Sequence, residues 1–594
     1  MTDTILIAIA WPYANAEIHV GNLTGSHLPG DIFARYHRLK GNRVLMVSGS
    51  DSHGTPITVR ADAENTTAFE VYQRYHEGFL DLFQQLGISY DLFTSTHTES
   101  HFDIAQKIFL ALHQNGFLYQ EKQEQWYSSE QSRFLPDRYV EGTCYICGYD
   151  NARSDQCDKC GNLLEAGKLI DPKSKIDGST PELRETTHFF LDLGKLEPDI
   201  INFLNEKESF WRPNVLKQSI GQIQTDGLRG RPITRDLDWG IPIPLDGQSG
   251  KCLYVWFEAV IGYLSAAIEY AKIINEPEVW RDWWMEKTTK SYYFIGKDNI
   301  PFHAIIWPAE LIGISTTFDE MLNSKKPRSL VLPFDVPANE FMNLEGKKIS
   351  GSRNWAVYGR DFLTRYDPDP LRYYLTVTMP ETRDTDWDWG DFMHRNNDEL
   401  VATWGNLANR VLSFAYKYWE GNVPDPGLLT ELDLQLLATV NDGFESVGKE
   451  IEAVHLRAAL QEAMRIASEV NKYLDTTSPW ITIKSDKATA ARAIFVAMKA
   501  IDSLKILFAP FLPFSSEKLH QFMGYENSIF GTQSTLTQDD NLGEHTILRY
   551  HPESGKGNWV PSQLKTGDKF LKPMPLFKKL DPTIVDDERQ RLGR

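Results

Sequence analysis

Cysteine is scarce in this sequence, with five in 594 residues, too few for a disulfide framework. No stretch of eighteen apolar residues occurs, which excludes an ordinary membrane-spanning helix, so no membrane partner is expected. Asp3 leads at once into a strand-like run, so the start lacks the pattern of a signal or transit peptide; with so few cysteines this points to the cytoplasm. Positive charge is in deficit. Lys and Arg number 62 against 81 Asp and Glu, a net charge of −19. That argues against a general nucleic-acid coat or an anionic membrane surface, and leaves room for a folded RNA held by a local basic surface. No repeat of fixed period is found. What is present is a globular composition, 41% hydrophobic and 24% charged, in a chain long enough for three or four domains.

The chain is organised around Ile5 to Leu28. Ile5 to Ala10 reads as a strand buried on both faces, broken at Trp11-Pro12. His19-Val20-Gly21-Asn22 follows at the mouth of a helix. Free N–H groups and the helix dipole make such a mouth an anion site, and a glycine lets a ligand approach the backbone. A surface histidine beside a capping asparagine is the other reading, and this stretch alone does not separate the two. The helix carries Pro29-Gly30 and is expected to kink there or restart at Asp31. Val44 to Val47 is a second strand. It runs into the polar loop Gly49 to Pro56 at its carboxyl end, where open α/β sheets place ligands. Helices follow near 67–86 and 100–115.

Four of the five cysteines fall within seventeen residues, as Cys144-x2-Cys147 and Cys157-x2-Cys160. Glycine follows each pair, as Gly148 and Gly161, which suits a tight knuckle. Four thiolates form a closed tetrahedral site for one structural zinc, with no open position for catalysis. Cys252 sits in an apolar run and reads as a core residue. Leu253 to Val260 is expected to be a buried strand, with a helix over Gly262 to Tyr270. Tyr292 to Ile295 is another strand, closing on Gly296-Lys297-Asp298; Lys297 reads either as site material or as a solvated loop lysine. Residues 340–354 form a basic loop with small hydroxylated residues, suited to closing over a polyphosphate. It is not a Walker A loop, because Phe341 stands where the upstream glycine is required. Asp384 to Asp391 reads as a solvated acidic connector. Helical patterns dominate 396–530 and suggest a bundle. The remainder looks like an extended tail packing back through Pro575-Leu576-Phe577.

Taken in order, these pieces resemble the class I aminoacyl-tRNA synthetases, and within them the methionyl type. The HIGH signature is His19-Val20-Gly21-Asn22, and KMSKS is Lys348-Ile349-Ser350-Gly351-Ser352. The Ser50 to Pro56 loop, the four-cysteine insert and Phe294 to His303 are methionyl-like too. The resemblance implies a Rossmann-like doubly wound parallel sheet with a zinc-knuckle insert, followed by an α-helical bundle. It divides the chain into a catalytic domain (1–115 and 229–325), a connective insert (116–228), a KMSKS-like and stem-contact region (326–395), an anticodon-binding bundle (396–535) and a tail (536–594). It further implies that methionine and ATP, with Mg2+, give methionyl-adenylate and pyrophosphate, and that methionine then passes to the terminal ribose of tRNA(Met). The protein is expected to be a monomer.

The resemblance also implies site residues. His19, Asn22, Lys348, Ser350, Ser352 and Arg353 would be catalytic, with Gly21 and Lys297 also at the ATP. Tyr13, Asp51, Trp256, Ala259, Tyr263, His303 and Trp307 would hold methionine. Asp51 would pair the ammonium, aromatic walls would hold the thioether, and Tyr263 or His303 would hydrogen-bond the sulfur. Asn406, Arg410 and Trp480 would read the anticodon; by itself Trp480 reads as a capping or core residue. Two departures reduce positive charge: Asn22 replaces the second His of HIGH, and Gly351 the second Lys of KMSKS. The role of that lysine is expected to shift to Lys347, Lys348 or Arg353. Another class I synthetase, or a tRNA-binding protein without catalysis, are the competing readings; the insert is too short for the editing module of leucyl, isoleucyl or valyl types.

Overall fold

The computed structural model describes residues 2–593 apart from 137–138, 155–156, 158, 161–163 and 165, and the side chains of 166, 222, 226 and 352. Gly161 of the second knuckle therefore lies outside the described residues. The central sheet is built from β1 (Thr4–Ile9), β2 (Arg43–Ser50), β3 (Leu92–Ser95), β4 (Lys290–Gly296), β5 (Ala338–Asn339), β6 (Thr532–Asp540) and β7 (Gly543–His551), in the order β5-β4-β1-β2-β3-β7-β6. From β5 to β3 all neighbours are parallel, with Ile7 opposite both Met46 and Tyr292. Residues 5–9 of β1 are fully buried, as a strand covered on both faces requires. The chain leaves β1 on one side toward β2 and returns on the other as β4. The crevice beyond the ends of β1 and β4 is thus the switch point where such sheets bind ligands.

Several elements differ from the sequence reading. Leu253 to Val260 is not a strand: only Cys252–Leu253 is extended, and Val255–Ile273 is one helix. Its β-branched and aromatic residues mimic a strand because the helix is buried nearly all round, which erases its period. Cys252 is buried, as expected. Asp384 to Asp391 is not a solvated connector. Thr385–Trp387 pairs in parallel with Met342–Leu344, driven by burial of Trp387 and Trp389. The segment after 535 does not begin as an extended tail. β6 and β7 form a hairpin that covers the open edge of β3 through Leu548 opposite Phe93. Beyond it the chain is largely irregular and packs back on the body, with Phe577 buried as expected.

The helix does not restart at Asp31. It runs from Val20 to Leu39, with a π-helical turn at Leu23–His27 just before the proline that lacks an N–H. Asp31 on this helix is fully buried. It accepts from Arg35 Nε (2.9 Å), Arg372 Nη2 (2.7 Å) and Ser89 N (2.8 Å). Burial opposes its charge, but the two guanidiniums and Ser89 outweigh it and bring its pKa down to about 2. Arg372, equally buried on the helix Pro368–Val377, also donates to the carbonyls of Leu86, Pro510 and Phe511. One side chain thus ties the sheet domain to the helical bundle, whose main helices are Asn406–Trp419, Glu431–Glu452, Leu456–Thr477 and Lys487–Phe508.

The insert is a small sheet led by the long pair Leu118–Ser128 and Glu182–Leu191, with a separate three-stranded sheet and its own core around Trp126, Val140, Cys144 and Cys157. Arg372→Leu removes the cation but leaves Asp31 and three carbonyls buried. We expect a loss of about 3–5 kcal/mol, read as a lower midpoint in thermal and urea unfolding, with part restored by adding Asp31→Asn. An unchanged midpoint would contradict this role.

Candidate functional site

Two adjoining cavities occupy the switch-point crevice. The first, about 480 Å3, is lined by Trp11, Tyr13, Asp51, Trp256, Ala259, Tyr263, Phe302 and His303. The second, about 290 Å3, is lined by Gly21, Glu340, Phe341, Lys348 and Ile349. His19, Asn22, Asp298 and Asn299 line both. Recasting 253–260 as the start of a helix explains how the first cavity is assembled. Trp256, Ala259 and Tyr263 follow at spacings of three and four, so one helix face presents all of them.

Asp51 follows β2 and is held by its backbone, receiving Ala14 N–H on its carbonyl and donating to Pro12 O, both at 2.9 Å. Its carboxyl is buried, and Oδ1 has no partner among the described residues. Burial, and then the nearby Glu258, push its pKa well above the usual carboxylate range. An orphaned buried acceptor of this kind suits an incoming ammonium. Tyr263 Oη lies 2.7 Å from His303 Nε2, and His303 Nδ1 lies 2.9 Å from the Asn299 carbonyl. Burial drives His303 down to about 4, so it is neutral. Nδ1–H donates to the carbonyl and Nε2 accepts from the tyrosine. Both donors are committed to partners, which departs from the expected bond to a sulfur and leaves aromatic contact to hold a thioether. Trp256 stacks on Phe302 with centroids 4.4 Å apart, and Tyr13 meets Trp256 edge-on at 5.7 Å. Trp307 is fully buried behind this wall. It donates to Tyr293 Oη at 3.0 Å and lines neither cavity. Trp11 and Phe302 were missed by sequence reasoning. Trp11 needs two glycines beside it, since a Cβ at Gly49 or Gly262 would lie 2.2 Å or 2.7 Å from its ring.

At the helix mouth, Asn22 N–H donates to His19 Nδ1 (3.3 Å), and His19 N–H donates to Asn22 Oδ1 (3.1 Å). This reciprocal cap fixes a tautomer: Nδ1 accepts, so Nε2 carries the proton. Desolvation lowers the His19 pKa to about 4. His19 is therefore a neutral donor rather than a cation, and Asn22 keeps its NH2 free to donate. Gly21 is tight, because a Cβ would meet the His19 ring at 3.0 Å and Ile349 at 3.2 Å.

The basic loop is a hairpin, Met342–Leu344 with Lys347–Lys348, turning through Glu345 and Gly346 at φ of 48° and 73°. Both carboxylate oxygens of Asp386, on the strand misread as a connector, accept the Gly346 N–H at 3.0 Å. The two signatures are stapled by backbone: Val20 N–H to Val357 O and Gly359 N–H to Ile18 O, each 2.9 Å. Lys348 lines the second cavity and Gly351 the first. Lys347 lies over Trp355 at 4.5 Å, and Arg353 is exposed on the turn Gly351–Arg353 and lines neither cavity. Ser350 is held by paired backbone bonds with Trp355, both 2.9 Å. Ser352 belongs to the same short turn, and its side chain lies outside the described residues. Lys297 does not reach either cavity. It bridges Glu340 and Asp384, each at 2.7 Å, above the Phe341 ring.

The sulfurs of Cys144, Cys147, Cys157 and Cys160 all lie within 4.8 Å of one another, with Cys147 and Cys157 3.6 Å apart. Thiolates at about 2.3 Å from a tetrahedral metal sit about 3.8 Å from each other, so the donor set fits one metal ion. Gly148, at φ 71°, donates to Cys144 O and closes the first knuckle. In the bundle, the Arg410 guanidinium covers Trp480 at 4.3 Å, and Asn406 is exposed one turn earlier on the same helix.

Comparison with known proteins identifies the lineage. The family described as tRNA synthetases class I (M) matches residues 5–412, and the anticodon binding domain of methionyl tRNA ligase matches 423–542. The chain is 52% identical to a methionine–tRNA ligase of Thermomicrobium roseum over 100% of its own length and 99% of the relative's. It is 51% identical to one from a Roseiflexus species, with the same coverage. The Mycobacterium tuberculosis methionyl-tRNA synthetase bound by methionyl-adenylate superposes with a TM-score of 0.74 at 23% identity, covering 97% of this chain and 100% of that one. No helix among the described residues is long and apolar enough to cross a membrane.

The raised pKa of Asp51 has a sign that can be tested. The free carboxyl holds its proton to higher pH than usual, and an ammonium ligand requires it ionised. L-Methionine binding is therefore expected to release a proton and to tighten as pH rises toward the Asp51 pKa. Asp51→Asn should weaken binding about tenfold or more and abolish the pH slope. Calorimetric titration in buffers of different ionisation heat, carried from acid to neutral pH, measures the release; no release anywhere in that range would contradict it.

Proposed function

The chain belongs to the methionyl class I aminoacyl-tRNA synthetases, and on that premise we propose how its own residues divide the work. It is an aminoacyl-tRNA ligase: it joins methionine to ATP, releasing pyrophosphate, and transfers the methionyl group to tRNA. The observation that carries the assignment of residues is the shared lining of the two cavities, where His19 and Asn22 belong to both, Asp51 to one and Lys348 to the other.

In this reading the first cavity takes methionine. Asp51 pairs its ammonium, and Tyr13, Trp256, Ala259, Tyr263, Phe302 and His303 wall its side chain. Trp307 acts from behind, by fixing Tyr293. The second cavity takes the phosphates of ATP. A methionine carboxylate oxygen attacks the α-phosphorus, the bond to the bridging oxygen breaks, and pyrophosphate leaves. No enzyme nucleophile is needed; the site supplies position and donors aimed at the growing charge. His19 Nε2–H, the Asn22 amide, the backbone at Gly21 and the helix N-terminus serve from one side. Lys348 serves from the hairpin, with Ser350, Ser352 and Arg353 on the loop that follows. Lys297 contributes indirectly, holding Glu340 and Asp384 and hence the hairpin base. Mg2+ accompanying ATP would neutralise the leaving pyrophosphate.

The four thiolates would hold one structural zinc, which stiffens the tip of the insert. Asn406, Arg410 and Trp480 read the anticodon of tRNA(Met), with an unstacked base lying on Trp480 once Arg410 moves aside or caps it. We place the enzyme in the cytoplasm as a monomer, in keeping with reduced thiolate ligands. ATP–pyrophosphate exchange with each of the twenty amino acids tests the specificity: exchange with L-methionine alone is expected, and exchange with none or with several would contradict it. Trp480→Ala should leave that exchange intact and lower tRNA charging about 10- to 100-fold in kcat/KM.

A further inference from the structure

Glu258 is fully buried, yet it lines neither the methionine cavity nor the phosphate cavity. It sits on the helix Val255–Ile273 between Trp256 and Ala259, which do line the first. Its partners are two buried histidines. His53 Nδ1 lies 2.7 Å from Oε1, and His101 Nε2 lies 2.8 Å from Oε2. Among the described residues no Lys or Arg pairs with it. Burial brings His53 down to about 3 and also lowers His101, so both rings are neutral. Burial raises the Glu258 pKa, and the bond from His101 opposes that rise. A carboxylate only accepts, so each ring turns its one N–H toward Glu258. His101 Nδ1 then accepts from Ser265 Oγ at 2.8 Å, and His53 Nε2 accepts from His97 Nδ1 at 3.1 Å. The negative charge is thus held by neutral donors and not cancelled by a cation.

These bonds fix a spacing. His53 belongs to the loop after β2 that carries Asp51. Around it, Trp239 Nε1 donates to Ser52 O at 2.6 Å, Ser52 N–H donates to Thr96 Oγ1 at 2.9 Å, and His97 stacks on Trp239 at 4.6 Å. Gly54, at φ 90°, packs on Val255 at the start of the helix, where a Cβ would come within 3.1 Å. His101, on the helix Glu99–Gln114, spans Glu258 and Ser265, two turns apart on one helix face. The loop with the acceptor for an ammonium and the helix with the aromatic wall are therefore joined through one carboxylate. Glu258 also acts on Asp51 through space: after burial, it is the group that raises the Asp51 pKa. The other ionisable groups around Asp51 are Tyr263 on the same helix, His53 on its own loop, and Glu17, His19, Asp298 and His303 around the cavity. Cys252, which also feels Glu258, is pushed up to about 12 and stays neutral.

We propose that Glu258 is a positioning residue for methionine: through His53 it sets the Asp51 loop against the aromatic wall, and as a fixed negative charge behind Asp51 it strengthens the pull on the ammonium. The proposal rests on the reading of the first cavity as the methionine site. Glu258 touches no substrate and acts through Asp51. An amino acid is gripped at two ends, and the grip is tight only when acceptor and wall are held at one distance before it arrives.

The test uses the full-length Glu258→Gln variant, alone and combined with Asp51→Asn, with His53→Ala as a second probe. Gln keeps the shape, but its one amide oxygen cannot accept from both rings. L-Methionine affinity in calorimetric titration should fall about tenfold or more, with ATP affinity within about twofold of wild type. The rise of methionine binding with pH should move to lower pH, because the like charge beside Asp51 is gone; a merely structural lesion would leave that profile in place. In the Asp51→Asn background, Glu258→Gln should cost no more than about twofold. His53→Ala cuts the link and leaves Glu258 in place, and it too should weaken methionine. Unchanged methionine affinity in either variant would overturn the proposal. So would an unmoved pH profile in Glu258→Gln, or a full loss that persists in the Asp51→Asn background. Failure of the wild-type protein to bind L-methionine would instead overturn the reading of the cavity itself.

Discussion

The helix that opens the switch-point crevice is tied to the rest of the molecule through one buried carboxylate. Asp31 sits on the helix that begins at His19, and it is clamped by Arg35 on the same helix and Arg372 on the helix that leads toward the bundle. A buried pair of this kind is costly to form and more costly to break, so it fixes geometry more than it adds stability. Its consequence is positional. The mouth of the His19 helix cannot shift without moving Arg372, and Arg372 also holds the carbonyls of Pro510 and Phe511 in the bundle. The crevice proposed for adenylation and the anticodon binding domain therefore share one joint.

The site proposed for the phosphates is poor in charge. The usual pattern spends a second histidine and a second lysine, and this chain has Asn22 and Gly351. The structure replaces charge with direction. Asn22 engages its carbonyl oxygen with His19 N–H and its backbone N–H with His19 Nδ1, which leaves Nε2–H and the amide NH2 as donors. Fixed donors in a partly dry cavity need no net charge to stabilise developing anions. On the opposite side, Asp386 holds the hairpin turn, and backbone bonds staple 357–359 to 18–20. Lys348 is thereby left facing the same cavity as the helix mouth.

How much of this was legible depended on what each segment had to do. Chemistry restricts residue type, so His19 to Asn22, Lys348 to Ser352 and the paired cysteines could be found without a fold. Three bundle helices showed because one face of each is polar, whereas Lys487–Phe508, buried almost all round, showed through its many alanines and other strong helix formers. The helix Val255–Ile273 did not, because burial on all sides leaves no period and Tyr254-Val255-Trp256-Phe257 has a strand's composition. The hairpin at β6 and β7 is polar and alternates only weakly, and its role appears only once β3 is seen to need an edge partner. Thr385–Trp387 was hidden by its charges; its tryptophans carried the signal. Lys297 and Trp307 were found as parts of a motif, but the motif does not say which members face the ligand and which hold those that do. Trp11 was invisible because its place depends on glycines at 49 and 262, far away in the chain.

The central claim is that Lys348 is the loop cation that serves the reaction in place of the lysine missing at 351. The most direct measurement is the single-turnover rate of methionyl-adenylate formation in Lys347→Ala, Lys348→Ala and Arg353→Ala, with methionine affinity recorded alongside. Lys348→Ala is expected to slow the step by about 10²–10³-fold with methionine affinity nearly unchanged, while the other two lose only a few fold. An Arg353→Ala loss as large as that of Lys348→Ala, or a near-normal rate in Lys348→Ala, would contradict it.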